Sequence, residues 1–85
     1  MIKIIFFARL RELMGIEQLN FELTKGDPVS VKYVLDSLAA EYSALSDYID
    51  QGHQIMIAVN QQTADIEKIL QTGDELAFFP PVTGG

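Results

Sequence analysis

The chemistry this sequence could do is concentrated in its last six residues, Pro80-Pro81-Val82-Thr83-Gly84-Gly85. A Pro-Pro step is stiff and projects the rest of the chain away from the preceding element. Six extended residues reach at most about 20 Å, enough to enter another protein's active site. Glycine lets a backbone pass through a narrow channel and leaves the carboxylate open to attack. Two glycines closing a chain by chance is roughly a one-in-two-hundred event. The plain alternative is an inert, frayed end. The sharper reading makes the Gly85 carboxylate the working group. A carboxylate is a poor electrophile until one oxygen becomes a leaving group, and attack on the α-phosphate of ATP supplies that as an acyl-adenylate. A sulfur nucleophile can then displace AMP and leave a terminal thiocarboxylate. Such an end carries sulfur in a chain that has no cysteine.

The remaining side chains offer no competing centre. His53 is the single histidine and lies beside Gly52 in a polar stretch, where it reads as a solvated loop residue. Asp47, Asp50, Asp65 and Asp74 fall at expected turns or caps, where short carboxylates bond to the local backbone. Their spacing matches no metal-binding loop. Gly15, Gly26 and Gly73 are isolated breaks and form neither a G-x-G-x-x-G nor a P-loop. An autonomous active site is therefore not expected, nor is a cofactor held by this chain; ATP would belong to an activating enzyme.

A chain of 85 residues provides one small core, and the absence of cysteine means that it must hold without disulfides. Twelve acidic residues against six basic ones give a formal charge of −6. That balance argues against nucleic acid or an anionic membrane as partner. It suits either a partner with a basic face or simple solubility. The apolar start is interrupted at once by Arg9, Arg11 and Glu12, and no stretch approaches the ~20 residues of a membrane span. A soluble, cytoplasmic protein is expected.

Residues 2–8 are β-branched, aromatic or small and predict a strand; residues 9–14 read as a polar, helix-prone turn stopped by Gly15. Residues 17–23 alternate, with Leu19, Phe21 and Leu23 on one side, and predict a strand near enough to pair with the first as a hairpin. Gly26-Asp27-Pro28 breaks the chain. Ser30 is the expected N-cap of a helix of about twelve residues, marked by Val31, Val34, Leu35, Leu38 and Tyr42 on one face. Residues 44–50 suggest a short helical turn. Residues 54–59 predict a strand, 60–62 a turn, 65–70 a short connection, and 75–79 a final strand ended by Pro80-Pro81. Residues 1–79 then form the domain and 80–85 its extended tail.

The fold class predicted is α+β, a mixed sheet with one main helix packed on one face, laid out as a ubiquitin-like β-grasp. One helix covers one face only. Ile2, Ile4 and Phe6 share a side of the first strand; Lys3, Ile5, Phe7 and Arg9 share the other. Leu76 and Phe78 oppose Glu75, Ala77 and Phe79 in the last. The charged members assign the outer face, which places Ile5, Phe7 and Phe79 where no helix covers them. Either loops cover these side chains or they form an apolar docking patch beside the tail; the second reading is favoured.

The run Phe6-Phe7-Ala8-Arg9-Leu10-Arg11-Glu12-Leu13-Met14-Gly15 resembles the amino-terminal F-F-A-x-x-R-E-x-x-G signature of the MoaD family, the small subunits of molybdopterin synthase. Ala58-Val59-Asn60 is similar to that family's A-V-N turn entry. The final thirteen residues, from Gly73 to Gly85, resemble its carboxyl-terminal signature almost letter for letter. Where relatives often have an apolar residue just past the turn, this chain has Thr63. The resemblance implies a β-grasp fold and two successive partners. A MoeB-like adenylyltransferase would activate the Gly85 carboxylate with ATP, and a persulfide system would supply sulfur. A MoaE-like large subunit would take the tail (Pro80, Pro81, Val82, Thr83, Gly84, Gly85) into its active site, where two sulfur deliveries build the dithiolene of molybdopterin. By position, Phe7, Arg11 and Phe79 would carry the docking surface. The same fold and ending suit a ThiS-like carrier for thiazole synthesis, although such chains are usually shorter and lack F-F-P-P-V. They also suit a ubiquitin-like modifier conjugated through Gly85.

Overall fold

The computed structural model of the chain describes residues 1–23 and 28–81; Gly26 and Asp27 of the expected break and Val82, Thr83, Gly84 and Gly85 of the tail lie outside them. Its elements are β1 (Ile2–Phe6), α1 (Ala8–Met14), β2 (Gln18–Phe21), β3 (Val29–Ser30), α2 (Val31–Glu41), α3 (Ser43–Asp50), β4 (Met56–Val59), β5 (Gln62–Ala64), β6 (Ile69–Leu70) and β7 (Glu75–Phe79). Five strands form one mixed sheet in the order β2-β1-β7-β4-β5, and β3 pairs with β6 in a separate ladder. The two apolar terminal strands lie side by side and parallel, with Ile4 opposite Leu76 and Phe6 opposite Phe78. All other pairings among the described residues are antiparallel.

The period-two pattern sorts the side chains as the charges predict. Ile2, Ile4, Phe6, Leu76 and Phe78 are buried, as are Ile57 and Val59 from β4. The rings of Phe6 and Phe78 stack across the parallel pair with centroids 6.0 Å apart. From α2, Val31, Val34 and Leu38 join this layer, with Leu35 and Tyr42 packed half-buried at its margin. The Ser30 hydroxyl accepts a hydrogen bond from the Tyr33 N–H and so caps the helix, as expected.

The helix-prone turn and the short helical turn expected from the sequence are both full helices. Residues 9–14 belong to α1, which takes in Ala8 from the anticipated strand and buries Leu10 and Met14. Residues 44–50 belong to α3, which buries Leu45. The first and second strands pair as expected, Ile4 opposite Leu19, but α1 fills the connection. The strand expected over 54–59 begins at Met56, which lies opposite Phe79, the last residue of β7; ahead of it the His53 ring stacks on Tyr48 of α3, centroids 4.4 Å apart. The connection at 65–70 ends in β6, whose Leu70 lies opposite Val29, both buried.

The β4–β5 connection is a tight turn in which Asn60 and Gln61 both have positive φ, 51° and 69°. That geometry favours Asn-Gly, so Gln61 is the strained member. Gln61→Gly should stabilise the monomer by about 1 kcal/mol, a rise of roughly 4–8 °C in Tm for a domain of this size, read by thermal unfolding.

A candidate docking face at the root of the tail

The outer face of the sheet is built by register. Ile5 lies opposite Ala77, Ala77 opposite Ala58, and Met56 opposite Phe79. None of the five belongs to the hydrophobic core or its packed margin. Their small and apolar side chains make a shallow floor, Ala58 and Ala77, bordered by Ile5, Met56 and Phe79, all half-buried. Phe7 follows directly on β1 and stands 46% exposed, which no core aromatic does in this chain. Polar residues rim the patch: Gln18 opposite Ile5, Asn20 opposite Lys3, and Thr63 opposite Ala58. Thr63 is exposed, so the apolar surface stops at β5.

Direction matters as much as composition. β1 and β7 run parallel and finish together at Phe6 and Phe79, and antiparallel β4 starts at that same end with Met56. The aromatic part of the patch therefore sits where β7 hands over to Pro80 and Pro81, both half-buried. Phe7 and Phe79, named from alternation, are thus brought to one end of one face. Arg11 is exposed on α1, its N–H within 3.4 Å of the Phe7 carbonyl oxygen, and it makes no ion pair among the described residues. Arg9 is 4.0 Å from Glu12 across an exposed contact worth little. Val82, Thr83, Gly84 and Gly85 lie outside the described residues. Met56 and Ala58 belong to the face although the sequence pattern did not single them out. The signal was present, since they alternate with Ile55, Ile57 and Val59.

Two hollows lie off this face. One, of about 530 Å³, opens beside β5 and β6 near Asn60, Asp65, Lys68 and Asp74. Several of its polar groups are already engaged. The Asn60 side chain donates to Asp74 at 3.0 Å and accepts from the Glu75 N–H at 3.0 Å, and Asp74 accepts from the Gln71 N–H at 2.8 Å. Asn60, the last letter of A-V-N, thus ties the β4 turn to the start of β7. The other hollow, of about 240 Å³, lies between α1 and α3 beside Arg9, Leu13, Tyr48 and His53. His53 is exposed, its ring stacked on Tyr48. Among the described residues no three His, Cys, Asp or Glu side chains gather as a metal site, and no helix is long and apolar enough to cross a membrane.

A mixed sheet with its parallel terminal strands side by side in the middle, joined to helices in an α+β arrangement, is the ubiquitin-like β-grasp fold. The small archaeal modifier protein 1 of Haloferax volcanii has this fold, with a TM-score of 0.80 and 30% identity over 99% of this chain and 98% of that one. The chain belongs to the ThiS family, whose model matches residues 4–85. The molybdopterin synthase sulfur carrier subunit of Escherichia coli is 38% identical to it, and that of Haemophilus influenzae 35%, each over the whole of both chains.

Proposed function

We propose that this chain is the sulfur carrier subunit of a molybdopterin synthase. The observation that carries the reading is the half-buried apolar face, with the exposed Phe7 at its edge, beside the end of β7. A carrier needs a surface that docks and an end that reaches, and both must be fixed relative to each other. The full-length similarity to molybdopterin synthase sulfur carrier subunits supports this choice within the ThiS family.

In this reading the chemistry is divided. An adenylyltransferase holds the Gly85 carboxylate against ATP; a carboxylate oxygen attacks the α-phosphorus and pyrophosphate leaves. The outer sulfur of a donor persulfide attacks the acyl carbon and AMP leaves; a thiol then attacks the donor's inner sulfur, forming a disulfide with it, and Gly85 is released as a thiocarboxylate. The carrier then docks its outer face on the large subunit, and the tail delivers sulfur to the pterin precursor held there. What this chain supplies is the end group and the positioning, with Phe7, Arg11 and Phe79 as contacts. Incubating the chain with the adenylyltransferase and ATP should produce carrier-dependent ATP–pyrophosphate exchange. Exchange that proceeds equally without the carrier contradicts the reading.

The likeness to an archaeal modifier protein favours a second reading on the same activation. There a lysine amine, rather than sulfur, displaces AMP and Gly85 ends in an isopeptide. The two are separated by what the mature Gly85 carries.

A further inference from the structure

We propose that Met56 is an oxidation-sensitive site whose conversion to the sulfoxide weakens docking on the large subunit; the proposal rests on the docking face described above. The chain has no cysteine and no tryptophan, so its three methionines are the side chains that a hydroperoxide attacks first. The fold sorts them. Met14 is 8% exposed and belongs to the core, where its neighbours exclude an oxidant. Met1 is 51% exposed, but it precedes β1, at the end of the sheet remote from Phe79. Met56 alone combines access to solvent with a place in the docking face. It is half-buried, opens β4 opposite Phe79, and lies outside the core and its packed margin.

The chemistry needs only a hydroperoxide as oxidant. The thioether sulfur attacks a peroxide oxygen, the O–O bond breaks, a sulfur–oxygen bond forms, and water or an alcohol leaves. The sulfur gives up two electrons and the peroxide takes them. In the free carrier the new oxygen is hydrated, so the monomer should lose little stability. In the docked carrier the same oxygen lies between the apolar face and the partner, where it gives up its water without gaining a donor. A flexible apolar side chain has become a polar one, a change that disrupts interfaces built on methionine. Sulfoxide reductases reverse the step at the expense of two thiols, which leave as a disulfide while the oxygen leaves as water. The site can therefore switch in both directions.

The test treats the full folded chain, its Gly85 still a carboxylate, with hydrogen peroxide. Peptide mass spectrometry maps the oxygen, and thermal unfolding and titration with the large subunit follow. Oxygen should enter Met1 and Met56 well before Met14, with the Tm close to that of the untreated chain. Affinity should fall about tenfold as Met56 is oxidised, and methionine sulfoxide reductases acting on both epimers should restore it. Met56→Leu, compared with itself before and after the same treatment, should lose no affinity although its Met1 is oxidised. A Met56 that stays unoxidised while the chain is folded overturns the proposal. So does an oxidised Met56 that docks within twofold of the untreated chain, or an equal loss in Met56→Leu. If Phe79→Asp also docks at parental affinity, the docking face itself has failed; if Phe79→Asp docks weakly, the failure is confined to Met56.

Discussion

Phe79→Asp is expected to weaken binding to the synthase large subunit by one to two decades while the isolated monomer stays folded. Burying an aromatic ring at an interface is worth about 1.5–3 kcal/mol, and about 1.4 kcal/mol is a decade of affinity. Phe79 is half-buried on the outer face beside Met56, so a carboxylate there keeps access to water. The cost to the monomer should stay below about 2 kcal/mol. Its neighbour is the control. Phe78 is 1% exposed and stacked on Phe6, so Phe78→Asp places an unpaired charge in the core and should largely unfold the chain. Urea denaturation separates the two. A collapse of the midpoint for Phe79→Asp, or docking at parental affinity, contradicts the face assignment.

Deleting Gly85 is expected to abolish adenylation and sulfur transfer without changing stability. The buried core of the described residues ends at Phe78. The deletion moves the carboxylate back by one residue, about 3.5 Å, and acyl transfer falls steeply with displacements of even about 1 Å. In a strain lacking its own carrier, molybdopterin synthesis should return with the full chain and not with the deletion. Restoration by the deletion would rule out a thiocarboxylate at Gly85 as the sulfur donor.

Much of this was legible in the residues because the period-two pattern is punctuated by charges. Lys3 and Glu75 fixed which side of β1 and β7 faces water, and that alone placed Phe7 and Phe79 outside. The long helix was legible from Val31, Val34 and Leu38 together with its Ser30 cap. The smaller elements were legible only in part. A seven-residue helix such as α1 shows barely two turns of period, and a two-residue ladder such as β3–β6 shows none. The left-handed backbone at Ala8, φ 52°, left no mark either, since alanine signals nothing about φ where glycine or asparagine would. Asn60 did announce its turn, and its role as the tie to Asp74 and Glu75 explains in hydrogen bonds why that letter closes A-V-N.

The central claim is that Gly85 is the carrier of sulfur, and intact-protein mass spectrometry of the chain isolated from its native cell tests it most directly. The predicted result is a population in which one terminal oxygen is replaced by sulfur, localised to Gly85 by fragmentation and lost when the adenylyltransferase gene is deleted. A chain found only with an unaltered Gly85 carboxylate, or only as an isopeptide to lysine, would contradict it.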